Sequence, residues 1–138
     1  MSEQVAFELV SPEKLLLSEA VDMVLIPGAE GDMGVLPGHA PVISTIRPGT
    51  ICVFENSVIT KRIFVAGGFA EIADGRCTVL AEDAVVLDDL KAGDVETQIG
   101  HLKDDISIAR DNAEKAVAEA ALLVAEAKLD ALNKPAYA

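Results

Sequence analysis

The stretch FAEIADGRCTVLAE, Phe69 to Glu82, decides the fold of this 138-residue chain. Apolar and polar residues alternate on either side of Asp74-Gly75, the pattern of two strands with one buried face each. Asp-Gly is a two-residue hairpin signal because a type I′ turn needs positive φ, which glycine adopts without strain. The same pattern spreads towards the N-terminus. ICVFENSVITKRIFV, Ile51 to Val65, reads as two strands joined by a turn around Glu55-Asn56-Ser57. Pro48-Gly49 sits where a type II turn requires it. Val5, Phe7 and Leu9 point one way, and Ala6 and Glu8 the other. Turn signals recur about every eight to twelve residues, the rhythm of a sandwich or barrel. We count about nine short strands between Val5 and Leu87.

Past Leu87 the period changes. Ala, Glu, Leu and Lys dominate, all good helix formers. Asp94 is a plausible N-cap for a helix running towards Ala109, with Glu96 in its first turn. Ile99, Leu102, Ile106 and Ala109 form its apolar stripe. Gly100 inside it costs about 1 kcal/mol relative to alanine. Asp111 or Asn112 can cap a second helix, Ala113 to Leu132, with the stripe Ala113, Val117, Ala120, Val124, Ala127 and Ala131. The expected arrangement is an antiparallel helical hairpin. One long helix is the alternative, since nothing near Arg110 forces a break. The chain therefore divides into a β domain, 1–87, and a helical domain, 88–138, joined through LDDLKAGD.

Composition narrows the function. The formal net charge of −12 argues against nucleic acid and anionic membrane surfaces as partners. Two cysteines, Cys52 and Cys77, each in a β-like run, imply buried thiols and no disulfide framework. MSEQVAFELV lacks the basic start and apolar run of a targeting signal, so the protein is expected to be soluble and to stay where it is made. The longest run free of Asp, Glu, Lys and Arg, Met33 to Ile46, is broken by Pro37, Gly38 and Pro41 and cannot span a bilayer as a helix.

PGAEGDMGVLPGHAP, Pro27 to Pro41, invites three readings. A phosphate loop fails, because no Gly-Lys-Ser/Thr opens a helix and PVISTI reads as a strand. A metal site fails, because His39 and His101 lie in different halves and no Cys-x-x-Cys or His-x-x-x-His pair exists. Glu30 with Asp32 lacks the further oxygens that a hard cation requires. A hydrolase built on His39 and a serine such as Ser44 has nothing to single that pair out. A stiff, exposed contact surface carrying Glu30, Asp32, Met33 and His39 remains.

These residues also carry a resemblance. FELVSPEKLL, IPGAEGDMGVLPGHAPVIS, RPG, FVAGGFAEI and TVLAEDAV follow one another in the order and spacing of the epsilon subunits of rotary F-type ATP synthases, whose mitochondrial counterpart is called delta. The match is close over Phe7 to Val86 and looser beyond. It implies a ten-stranded β-sandwich followed by a C-terminal antiparallel two-helix hairpin, and a rotor subunit of the central stalk without an active site or resident cofactor. It would link the gamma subunit to the c-ring, at the cytoplasmic face of a bacterial inner membrane. Glu30, Asp32, Met33 and His39 would face the c-ring, whose loops in this family usually carry basic residues.

The helical tail is regulatory in bacterial members: it lies beside the sandwich, or extends along gamma towards the alpha and beta subunits and blocks ATP hydrolysis. Some members also bind ATP as a regulatory ligand. The corresponding candidates here are Glu82, Asp88 and Lys91, but lysine stands where the family pattern has arginine, and the planar fork is lost. From Asp88 onward six basic residues (Lys91, Lys103, Arg110, Lys115, Lys128 and Lys134) face eleven acids. In the family, inhibition relies on basic residues meeting an acidic segment of the beta subunits. Weak inhibition is therefore expected.

Overall fold

A computed structural model describes residues 3–133; the outer ends of the two expected domains, including Lys134, lie outside them. Ten strands come first: β1 Val5–Val10, β2 Leu15–Val21, β3 Met23–Gly28, β4 Gly31–Val35, β5 Val42–Ile46, β6 Gly49–Glu55, β7 Val58–Val65, β8 Gly68–Ala73, β9 Arg76–Ala81 and β10 Ala84–Val86. A 3₁₀ turn, Leu87–Asp89, leads to helices α1, Ala92–Ser107, and α2, Asn112–Asn133. The count is ten, as the resemblance implies, because the glycine-rich stretch contributes strands to a tight hairpin: Pro27 pairs with Asp32 and Gly28 with Gly31.

The strands form two layers. One runs β10-β7-β6-β3-β4 and the other β5-β8-β9-β1-β2, and the two join through the pair Gly28–Ile46. Neighbours are antiparallel except β1 and β9. The inner faces meet in one core that includes Val5, Phe7, Leu9, Val24, Ile26, Ile51, Val53, Ile63, Val65, Ile72, Cys77 and Val79. Phe7 is fully buried, and Ala6 faces out, as the alternation demands. A Lys61–Glu19 ion pair of 2.7 Å ties β7 of one layer to β2 of the other. Two of the three expected turns are present; Pro48-Gly49 does not form a type II turn, because Gly49 lacks the positive φ and instead opens β6, where a Cβ would lie 2.9 Å from that of Pro27. Asp74 and Gly75 have φ of 52° and 76°, and Asn56 and Ser57 have 54° and 66°, the positive values of type I′ turns.

The helices form the expected hairpin, with corrected details. The first helix begins at Ala92, with Lys91 as N-cap and its carbonyl accepting from Val95 N–H; Asp94 lies inside the first turn. It ends at Ser107. Ile99, Leu102, Ile106 and Ala109 are half-buried, and Val95 is the residue buried outright. In α2 the buried positions are Ala118 and Ala125, flanked by half-buried Ala121, Leu122 and Leu129. Of the expected stripe, Val124, Ala127 and Ala131 are half-buried, but Val117 is 72% exposed and Ala113 and Ala120 are exposed, so the inner face departs from the expected one over the first half of the helix. Alanines surround much of this helix, so apolar spacing alone does not mark the inner face. The break between helices comes from Asp111, whose Oδ1 accepts from Glu114 N–H at 2.8 Å, while Glu114 Oε2 accepts from Arg110 N–H at 2.9 Å. This is a capping box reaching one residue further back.

The second helix packs on β6. Cys52 and Phe64 are buried yet point away from the sandwich core, onto the outer face that this helix covers.

Candidate partner-contact surfaces

Local sequence builds the rim. Gly28 and Gly31 close the β3–β4 hairpin around Ala29 and Glu30. A Cβ at Gly28 would lie 2.7 Å from the carbonyl oxygen of Gly31, so glycine is required for the strands to approach. Glu30 stands exposed at the tip. Asp32 is exposed too, but its carboxylate is held by the guanidinium of Arg47, which also donates to the carbonyl of Gly28. Met33 pairs with Ile26, faces inward and is half-buried against the core. His39 sits in the turn after β4, with its N–H bonded to Leu36 O at 3.1 Å and its Nδ1 2.7 Å from Ala40 O, to which it donates. Glu30, Asp32 and Met33 line one open cleft of the hairpin, and His39 belongs to the next turn. Ser44 Oγ donates to Thr45 O at 3.1 Å, so the Ser44 proton and His39 Nδ1 are each directed to a neighbouring backbone carbonyl.

A surface that sequence reading missed lies on the outer face of the β5-β8-β9-β1-β2 layer. Register aligns Thr45, Phe69, Leu80, Val10 and Leu15 in one row across five strands. Phe69 is 56% exposed, Leu80 47% and Leu15 55%, with Ile43 beside the row at 73%. Outward positions in a sandwich are normally polar; a contiguous apolar row marks an interaction site. The signal was present in FAEIADGRCTVLAE as two outward large hydrophobics, but their alignment depends on register.

The nucleotide candidates are dispersed. Glu82 occupies the β9–β10 turn, exposed, its N–H donating to Gly67 O at 3.1 Å. Asp88 lines an open cleft of about 550 Å³ beside β7 and β10, of which Glu82 and Lys91 are not lining residues. Lys91 starts the first helix, exposed. Among the described residues no cluster of three or more His, Cys, Asp or Glu is placed to hold a metal. Both thiols are kept protonated: burial pushes Cys77 up to about 12 and raises Cys52 as well. No helix among the described residues is long and apolar enough to cross a membrane.

Residues 4–86 match the profile of the β-sandwich domain of the ATP synthase delta/epsilon chain, and residues 91–138 that of the C-terminal domain of the ATP synthase epsilon chain. An ATP synthase epsilon chain of Rhodospirillum centenum is 53% identical over 135 residues, covering 94% of this chain and 92% of that one. One from Rhodospirillum rubrum is 49% identical over 131 residues, covering 95% and 98%. Among solved structures, a chain of the Euglena gracilis mitochondrial ATP synthase, from its OSCP/F1/c-ring assembly in rotational state 1, superposes with TM-score 0.81 at 26% identity, covering 94% of this chain and 82% of that one. A chain from the central stalk and c-ring of the Tetrahymena thermophila enzyme shares the fold, with TM-score 0.69 at 16% identity over 93% of this chain and 96% of that one.

Proposed function

The chain belongs to the ATP synthase epsilon chain family, as a subunit of the central stalk of an F-type ATP synthase, and from that premise we propose how its two outer surfaces divide the work. The row Phe69–Leu80–Val10–Leu15 docks on the gamma subunit. The tip of the β3–β4 hairpin, led by Glu30 and backed by Asp32, Met33 and His39, rests on polar loops of the c-ring. The subunit performs no bond chemistry of its own; it transmits torque through a stiff sandwich. Its position is peripheral, on the cytoplasmic face of the bacterial inner membrane, held there by the complex.

The observation that carries the docking assignment is the apolar row. One outer face of the sandwich is covered by the protein's own helical hairpin, and the other presents an aromatic and three aliphatic residues to solvent. Desolvated aromatic anchors dominate protein–protein affinity. Glu30 supplies negative charge at the tip of a glycine-closed hairpin, which suits basic ring loops. The cleft that Asp88 lines includes neither Glu82 nor Lys91, so the apolar row and the rim carry the reading. The test is cross-linking in the assembled enzyme. Cysteine at position 30 should link to the c subunit, and cysteine at position 80 to gamma. Native Cys52 and Cys77 are buried, and the parent protein without an introduced cysteine serves as the background control. Links in the reverse sense, or to neither neighbour, would overturn the assignment.

A further inference from the structure

A small pocket of about 180 Å³ lies where the rim meets the end of α2, lined by Asp32, Arg47, Gly49, Thr50, Asp130 and Ala131 among others. Among the described residues Arg47 is the one cation that lines it, together with the carboxylates of Asp32 and Asp130. The guanidinium is divided at present between the Asp32 carboxylate and the Gly28 carbonyl. Its backbone is fixed, since Arg47 N–H donates to Pro27 O at 3.0 Å. The guanidinium can therefore redirect while the Arg47 backbone, between β5 and β6, stays in place. Asp130 of α2 lines the same pocket and adds a second carboxylate to it.

We propose that Arg47 is a shared ionic latch between the rim hairpin and α2. A cation on a neighbouring subunit that takes over Asp32 releases the guanidinium towards Asp130, and the helical hairpin closes more tightly on the sheet. Arginine suits this role because its planar fork offers several donors and never loses its charge. The effect is bounded by exposure. The Arg47 and Asp32 side chains are 44% and 34% exposed, and ion pairs in such settings shift equilibria by at most about five-fold. Rim contact thus biases the hairpin without locking it. What takes Asp32 rests on the rim assignment proposed above; the latch itself is a property of the isolated protein.

The test uses the isolated full-length protein with Cys77→Ala, which leaves Cys52 under α2 as the sole thiol. Its labelling by a maleimide reports lifting of the hairpin. Asp32→Asn mimics capture of the carboxylate; because it also removes a charge that raises the Cys52 pKa, rates are compared at equal thiolate fraction, and labelling should then slow about two- to five-fold. Adding Asp130→Asn should abolish that slowing, and Asp130→Asn alone should leave the parent rate nearly unchanged. Hydrogen exchange of the α2 amides should follow the same order, independent of the thiol. Slowing that persists in the double variant, or Asp32→Asn that fails to slow labelling, overturns the latch. A cross-linking result against the rim assignment leaves this outcome standing, so the two failures are distinguishable.

Discussion

The ammonium of Lys128 on α2 stands 6.0 Å from the centroid of the Phe64 ring on β7. Phe64 is 1% exposed although it points out of the sandwich, because the helix covers it. Lys128 thus lays its aliphatic stem on the sheet and its charge over the ring. Lys128→Ala should loosen hairpin docking by about 0.5–1 kcal/mol. Cys52 labelling in the Cys77→Ala background should then speed up about two- to five-fold, while Lys128→Arg keeps the parent rate. An unchanged rate in Lys128→Ala would mean the contact contributes nothing.

Tight backbone approach makes a sharper prediction. Gly68 has φ 139°, and a Cβ there would lie 2.0 Å from the carbonyl oxygen of Leu80. Both the dihedral and the contact exclude a side chain without backbone displacement. Gly68→Ala should cost on the order of 3 kcal/mol. Gly100 in α1 has open space around its missing Cβ and no positive φ. Gly100→Ala should therefore stabilise the helix by about 1 kcal/mol. Urea unfolding of the two variants should move in opposite directions.

The sandwich was legible in the sequence because its signals are local. Asp74-Gly75 and Asn56-Ser57 set the turns, and the alternation Val5-Phe7-Leu9 set the inner face. What was not legible depends on partners distant along the sequence. The row Phe69–Leu80–Val10–Leu15 exists because parallel pairing of β1 with β9 brings residues about seventy positions apart into register. In the sequence Asp32 reads as part of an exposed contact surface, and only the fold brings Arg47 to it. In α2, alanine on every face erased the stripe, and packing on β6 chose Ala118 and Ala125. The break before that helix is written in Asp111-x-x-Glu114, a local capping signal that the apolar stripes do not reveal.

Asp22 links the second and third strands to the Asn56-Ser57 turn. Its Oδ2 accepts from Asn56 N–H at 2.7 Å, and its Oδ1 from the Gln4 side-chain amide at 3.2 Å. The Asn56 bond first, then the Gln4 bond, hold the carboxyl below its usual range; its slight desolvation acts the other way. A carboxylate with a lower pKa folded than unfolded adds stability above about pH 4, and that contribution disappears as pH falls through the folded value. Asp22→Ala should be less stable than the parent at pH 7, with the gap closing on acidification below about pH 4. Urea midpoints at a series of pH values measure this. A gap that widens in acid contradicts the assignment.

Removal of the helical hairpin tests its regulatory weight. In the tail, acids outnumber bases by eleven to six, so its approach to an acidic segment of a catalytic subunit is repulsive. The hairpin should remain docked on β6, and its loss should change ATP hydrolysis of the assembled enzyme by less than about two-fold. A protein ending after Leu87 also uncovers Phe64 and Cys52, so truncation alone mixes loss of regulation with exposure of an apolar face. Pairing the truncation with Phe64→Thr, a β-branched polar residue suited to an exposed strand, removes that confusion. If the paired variant assembles and hydrolyses ATP many-fold faster than the intact enzyme, the tail inhibits despite its charge. Apolar residues exposed on the hairpin, Ile108, Val117 and Leu123, would then be the contacts to substitute next.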